Sequence, residues 1–162
     1  MDLMNPIRDR GYALIDNLGR LIQTADLEYV FFNVPIWKHI YHTLYWFDYH
    51  FATPLGFIGA DFHELNLESI DAQTTKSITK EQLIKYYISI SVKSKKYLNE
   101  LNDQMLYEQP EGYETNRLGI ILGQFRHAYC HIGNINCTTI IRTGEWPLVA
   151  SHKEDFEKGL YE

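Results

Sequence analysis

The chain has 162 residues, of which 45% are hydrophobic and 22% are charged, and these values are typical of one globular domain spanning residues 1–162. The formal net charge of −6 argues against a nucleic-acid-binding or membrane-surface protein, because both classes need a basic patch. We find no apolar run of about 18 residues and no signal-peptide pattern, so we expect a cytoplasmic protein without a membrane span.

The first predicted helix begins at about Pro6, because Asn5 is a good N-cap and proline suits the first helical position. A stripe of leucine and isoleucine side chains continues the helix to about Ala25. Residues 26–34 are predicted to be a connection in which Phe31 and Phe32 pack against the helices. No strand pattern competes with the helical ones.

A second helix is predicted over residues 35–51, and it is aromatic on nearly every side. In helical projection, His42 lies about 40° from Trp46 and about 20° from Tyr49. His42 is therefore flanked by aromatic side chains that could line a pocket. His39 lies about 60° from His42 and is an alternative for the same role.

Residues 55–77 form a long connection after the second helix. Neighbouring antiparallel helices need only about 2–8 connecting residues. The length therefore predicts a crossover that lets the second and third helices run in the same direction. Phe57, Phe62 and His63 could cover a cleft, although we prefer a surface position for His63.

The third predicted helix starts with a capping box formed by Thr79 and Gln82 and continues to about residue 105. Its apolar face is expected to include Val92. The basic cluster at residues 93–96 is expected to form a solvated helix face.

The fourth predicted helix, residues 115–142, carries the main candidate site. His127 and His131 lie about 40° apart on one face and about one turn apart along the axis, a spacing that lets two imidazoles bind one metal ion. Gly123 and Asn134 fall within about 40° of His127. We interpret this face as a metal-binding face that points into a bundle.

The two cysteines, Cys130 and Cys137, lie seven residues apart on the same predicted helix. Their Cα atoms would be about 10 Å apart, which is too far for a disulfide bond. We expect two reduced thiols, with Cys130 buried and inert.

Four-helix bundles build metal sites from side chains on different helices. Here the second helix offers His42, and the fourth offers His127 and His131. Three neutral imidazoles would leave a coordination position open, as in catalytic zinc sites. The Glu-x-x-His pairs of di-iron proteins are absent from the sequence.

Two stretches together resemble the DinB/YfiT-like superfamily: Trp37-Lys38-His39-Ile40-Tyr41-His42-Thr43-Leu44 and His127-x-x-x-His131-Ile132-Gly133-Asn134. In that family, a histidine shortly after a tryptophan on the second helix joins a His-x-x-x-His-x-Gly-Gln stretch on the last helix. The resemblance implies His42, His127 and His131 as metal ligands, with His39 in place of His42 as the alternative. Asn134 stands where glutamine is usual, so its role stays open.

The resemblance implies an all-α four-helix bundle of the DinB/YfiT type that binds a divalent metal ion, zinc or nickel. Some family members transfer low-molecular-weight thiols, which makes a small thiol the expected substrate and a homodimer a possible assembly. The first hypothesis is therefore a metal-dependent thiol S-transferase, or more weakly a metal-dependent hydrolase. The alternative is a stress-linked, non-enzymatic metal-binding or interaction protein whose metal is structural or absent. The sequence assigns no catalytic side chain.

Overall fold

The computed structural model describes residues 2–51, 57–147 and 149–151. In these ranges the chain forms four α-helices, namely α1 (Met4–Thr24), α2 (Ile36–Phe51), α3 (Lys80–Glu100) and α4 (Arg117–Thr143). A hairpin of β1 (Val30–Phe31) and β2 (Val34–Pro35) precedes α2, and a 3₁₀ turn at Met105–Tyr107 lies between α3 and α4. Across the described ranges, no helix is both long and apolar enough to cross a membrane.

The four helices pack as a bundle in which α1 and α2 each contact both α3 and α4. The predicted all-α four-helix bundle is confirmed. Its core is built from leucine, isoleucine and aromatic side chains of all four helices. Because α2 and α4 are neighbours, side chains on their facing sides can meet.

Contacts between α2 and α3 show that these two helices run in the same direction. In the first half of each helix, the ring of Tyr41 on α2 lies 5.9 Å from the ring of Tyr86 on α3. Near the C-terminal ends, the ring of Phe51 on α2 lies 5.3 Å from the ring of Tyr97 on α3. A parallel pair needs a long return connection, and residues 52–79 provide it. The predicted crossover is therefore confirmed.

The start of α1 differs from the prediction, which placed the N-cap at Asn5. The helix begins at Met4 with Leu3 as N-cap, and the Leu3 side chain makes no capping hydrogen bond. The carboxylate of Asp103 instead accepts hydrogen bonds of 3.0 Å from the backbone amides of Leu3 and Met4. The Asp2 carboxylate accepts from the Asn5 amide at 3.1 Å. A distant and a local aspartate thus satisfy free amides of the first turn, in place of the predicted cap at Asn5.

The capping box predicted at the start of α3 is present, with Thr79 and Gln82 bonded reciprocally. The end of α3 was predicted about five residues too late. Leu101 is extended, and the side chain of Asn102 then accepts from the amide of Met105 at 3.1 Å. This local bond favours a separate turn over continued helix.

The exposed face of α3 also differs from the prediction. Val92 is exposed, although the apolar pattern assigned it to the buried face. Lys93 is not simply solvated, because its ammonium group forms an ion pair with Asp48, which is 1% exposed. Asp48 also accepts a hydrogen bond of 2.9 Å from the Tyr86 hydroxyl. Asp48 of α2 is thus bound by Lys93 and Tyr86 of α3, and these polar contacts link the two helices.

The hairpin before α2 was not predicted, because strands of two residues are too short to show alternation. Its turn residues, Phe32 and Asn33, have φ values of 49° and 61°, as a type I′ turn requires. Phe31 is half-buried, but Phe32 is 82% exposed, so the expectation that both pack against the helices is wrong for Phe32.

Candidate metal centre

The two helices that carry the predicted ligands agree with their predicted bounds to within two residues. α2 begins directly after the hairpin, and α4 begins after Asn116, whose side chain accepts from the Gly119 amide at 3.0 Å. Gly144 follows α4 in the left-handed conformation, with φ of 74°, as predicted for a C-terminal glycine.

The structure brings His42, His127 and His131 together between α2 and α4. One ring nitrogen from each residue lies within 4.8 Å of the other two. The Nε2 atoms of His42 and His127 are 3.0 Å apart. The group is the one that the sequence predicted, and it could hold a metal ion.

The ring of His42 is oriented by a backbone carbonyl of the α2–α3 connection. Its Nδ1 lies 2.6 Å from the carbonyl oxygen of Glu68, so Nδ1 must carry the proton and donate it. Nε2 is then left with a free lone pair that faces His127. Metal-binding histidines typically donate the ring N–H that does not face the metal to a carbonyl or carboxylate in this way. Sequence analysis could not identify Glu68, because a backbone carbonyl is present in every residue.

Burial keeps the three imidazoles neutral. Desolvation, followed by the neighbouring charge of His42, lowers the pKa of His127 to about 4 and that of His131 to about 3. Desolvation also lowers the pKa of His42, although the hydrogen bond to the Glu68 carbonyl opposes the shift. At neutral pH all three rings are therefore in the form that binds metals.

The donor set fits a divalent ion of the zinc type. Nδ1 of His131 is buried and has no hydrogen-bond partner within the described ranges. With Zn–N bonds of about 2.0–2.1 Å, nitrogens of a tetrahedral site lie about 3.3 Å apart. The Nε2 atoms of His42 and His127, 3.0 Å apart, are already close to this distance. No two ligand nitrogens of the group are more than 4.8 Å apart, so none would have to approach another by more than about 1.5 Å.

His39, the alternative to His42, lies outside the group. Its Nε2 is 3.2 Å from the carbonyl oxygen of Phe31 in the hairpin. Its ring centroid is 6.0 Å from that of His131. His39 therefore packs beside the group while the hairpin provides its hydrogen-bond partner.

His63 does not take the surface position that we preferred. The residue is half-buried, its Nδ1 lies 2.7 Å from the Tyr41 hydroxyl, and its ring stacks on Tyr45 at 5.0 Å. Its Nε2 is 3.7 Å from the carboxylate of Glu68. The connection thus packs against α2 through the His63 ring and the backbone carbonyl of Glu68, and the Glu68 carboxylate contacts His63 within the connection.

Two further predictions about α4 are wrong. Asn134 is exposed and does not line the site. Since α2 runs antiparallel to α4 and begins at Ile36, it offers little cover one turn beyond His131. Cys130 is exposed rather than buried, although Cys130 and Cys137 are both free thiols, as predicted.

An open cleft with a volume of about 290 Å³ lies beside the histidines. Its walls are formed by residues of α2 and α4, namely His42, Trp46, His50, Gly123, Gln124, Arg126 and His127. The rings of Trp46 and His50 stack at 5.9 Å and give one flat aromatic wall. A second cavity of about 290 Å³, next to the hairpin, contains none of the three histidines.

Comparisons with known proteins reveal no relative. No protein-family model, no curated protein and no solved structure matches the chain. The resemblance to the DinB/YfiT-like superfamily therefore rests on the sequence motifs, while the structure independently shows a four-helix bundle with a three-histidine group.

Proposed function

We propose that this protein is a divalent-metal-dependent enzyme whose ion is bound by His42, His127 and His131. The observation that carries the proposal is the group of three neutral imidazoles with ligand nitrogens within 4.8 Å of one another. Two of them, His42 and His127, line an open cleft. Imidazole ligands suit zinc and nickel, which are the ions we propose. The substrate would be a small molecule that enters the cleft.

The chemistry of such a site depends on its open position. An ion held by three protein ligands supplies Lewis acidity that favours the deprotonated form of a thiol or of water. The chain itself contributes orientation, because the Glu68 carbonyl fixes the His42 ring. Trp46 and His50 provide a flat apolar surface against which a substrate can pack.

As the reaction, we propose the transfer of a low-molecular-weight thiol to an electrophilic carbon. The thiol proton passes to solvent, a carbon–sulfur bond forms, and the leaving group departs with its bonding electrons. The motif resemblance and the cleft volume of about 290 Å³ support a small substrate. The hydrolytic alternative calls for a general base, and no carboxylate lines this cleft among the residues that the structure describes.

The test is the metal content of protein purified without a histidine tag, together with three variants. We expect about one equivalent of zinc or nickel in the parent protein and its loss in His42→Ala and His127→Ala. His50→Ala is the matched control, because His50 is also half-buried and lies on α2, but it is outside the group and its Nδ1 lies 3.1 Å from the Tyr113 hydroxyl. This variant should keep the metal.

Absence of metal after incubation with zinc and with nickel would refute the site. Metal binding without any binding or turnover of small thiols would refute the enzymatic part of the proposal. The protein would then be a non-enzymatic metal-binding bundle.

A further inference from the structure

We infer that the cleft beside the histidine group selects substrates that carry an oxyanion, either a carboxylate or a phosphate. This inference rests on the proposed function and adds the chemical class of the substrate. Among the residues that the structure describes, three features of the cleft wall support it: a cation without a carboxylate partner, a buried amide oxygen without a hydrogen-bond partner, and open space beside a glycine.

The cation is Arg126. Of the three arginines on α4, Arg117 pairs with Glu108 at 3.6 Å and Arg142 pairs with Asp26 at 2.8 Å. Arg126 lines the cleft and has no carboxylate partner within the described ranges. Its guanidinium group is therefore available to a ligand.

The position of Arg126 relative to the histidines suits a bound anion. Arg126 directly precedes His127 on α4, and both residues line the same cleft. A small molecule that reaches the histidine group would therefore also come within range of the guanidinium. Arginine binds carboxylate and phosphate groups through paired N–H donors.

The second polar group is the side-chain amide of Gln124. Its Oε1 atom is buried and has no hydrogen-bond partner among the described residues. Buried polar groups in folded proteins are usually paired, so an unpaired amide in a cleft wall is a candidate for contact with a ligand. Because the two ends of an amide can exchange by a rotation, Gln124 can present N–H donors to an oxyanion.

The space for the ligand lies at Gly123. A Cβ atom at this position would meet no atom within 4 Å. The aromatic wall of Trp46 and His50 closes the cleft on the α2 side. The cleft therefore combines a flat apolar surface with a cation, on a chain whose net charge is −6. This combination favours a small organic anion over a neutral or cationic molecule.

The experiment is a calorimetric titration of the zinc-loaded protein with three thiols that differ in one group. The probes are 3-mercaptopropionate, 2-mercaptoethyl phosphate and the neutral 3-mercaptopropionamide. We expect at least one anionic thiol to bind about tenfold more tightly than the amide, as expected for one charge-assisted contact at a partly exposed site. The preference should shrink at about 0.5 M salt, because salt screens exposed charges.

The relative affinity of the two anions tells whether the cleft prefers a carboxylate or a phosphate. Equal binding of all three thiols by the parent protein would overturn the inference, and this comparison needs no variant.

Two pairs of variants test the residues. Arg126→Gln should remove the preference, because it should weaken binding of the anionic thiols more than binding of the amide, whereas Arg142→Gln should keep the preference. Gly123→Leu should weaken binding of all three thiols, whereas Gly133→Leu should not, since both glycines lie in α4 with open space around them but only Gly123 lines the cleft. An unchanged preference in Arg126→Gln would overturn the assignment.

The same titration distinguishes failure of the proposed function from failure of the inference about oxyanions. Parent protein that binds no zinc, or that binds zinc but none of the thiols, would refute both the enzyme and the inference drawn from it. Protein that binds zinc and all three thiols equally would refute only the selection of an oxyanion.

Discussion

Replacement of Lys38 by methionine should weaken metal binding, although Lys38 is not one of the three histidines. Lys38 is 3% exposed, and its Nζ donates to the carbonyl of Ala72. This contact holds the α2–α3 connection four residues beyond Glu68, whose carbonyl lies 2.6 Å from Nδ1 of His42. Loss of a group that orients a ligand typically lowers metal affinity by about 10–100-fold. Because Lys38 acts through the connection, we expect about tenfold, or about 1.4 kcal/mol.

Zinc affinity can be measured by competition with a chelator of known affinity. The matched control is Lys76→Met, because Nζ of Lys76 also binds this connection, at the Phe62 carbonyl and the Glu64 carboxylate, both at 2.6 Å. Both variants lose hydrogen bonds and should show lower melting temperatures, but only Lys38→Met should lose zinc affinity. An unchanged affinity in Lys38→Met, or an equal loss in Lys76→Met, would refute the reasoning.

The metal-free protein should lose stability as the pH falls below about 6.5, because the folded-state pKa values of His127 and His131 are about 4 and about 3, so the unfolded chain takes up protons first. The contribution of these two histidines to the loss should reach at most about 3 kcal/mol between pH 6.5 and pH 5 in urea unfolding, and this contribution should level off as the pH passes below both values. Lys93→Met should lower the free energy of unfolding by about 3 kcal/mol, because it leaves the buried carboxylate of Asp48 without its cation. Gly123→Ala should raise it by about 0.5–1 kcal/mol, since alanine favours the helix and the added Cβ meets no atom within 4 Å.

Each of these predictions has a control variant in the same protein. A variant with glutamine at both His127 and His131 should show a flatter dependence of stability on pH, and an unchanged dependence would contradict the assigned cause. Lys85→Met removes an exposed ion pair and should change the unfolding free energy by less than about 1 kcal/mol. An equal effect of Lys85→Met and Lys93→Met would contradict the role of burial. Gly133→Ala should stabilise the protein as much as Gly123→Ala, and a destabilised Gly123 variant would show that the cleft wall is not open.

Features that depend on periodicity were predictable from the sequence. The spacing of His127 and His131 fixes their common face once the segment is helical, and the same argument places His42 on α2. The length of the connection predicted that α2 and α3 are parallel, because a shorter chain could not return to the starting end. These inferences need only the geometry of one helix or the reach of one loop.

Features that depend on contacts between distant backbone groups were not predictable. The Glu68 carbonyl that orients His42 and the Phe31 carbonyl that binds His39 carry no side-chain signature. The Asp103 carboxylate that caps α1 lies 100 residues from Leu3 along the chain, so the local pattern around Asn5 could not indicate it. Projection also failed for Asn134, because a helical wheel gives the direction of a side chain but not whether a neighbouring helix reaches that level.

The histidine group joins parts of the chain that the ribosome synthesises at different times. His42 and His127 are separated by 85 residues, and the third ligand candidate, His131, also lies on α4. Closing a loop of this length has an entropic cost that local contacts do not offset, so the group forms only when α4 packs onto α2. A nascent chain that ends before α4 holds one of the three histidines. Metal uptake would thus be a late step of maturation, and a metal ion that binds only the packed chain would draw the folding equilibrium toward the completed bundle.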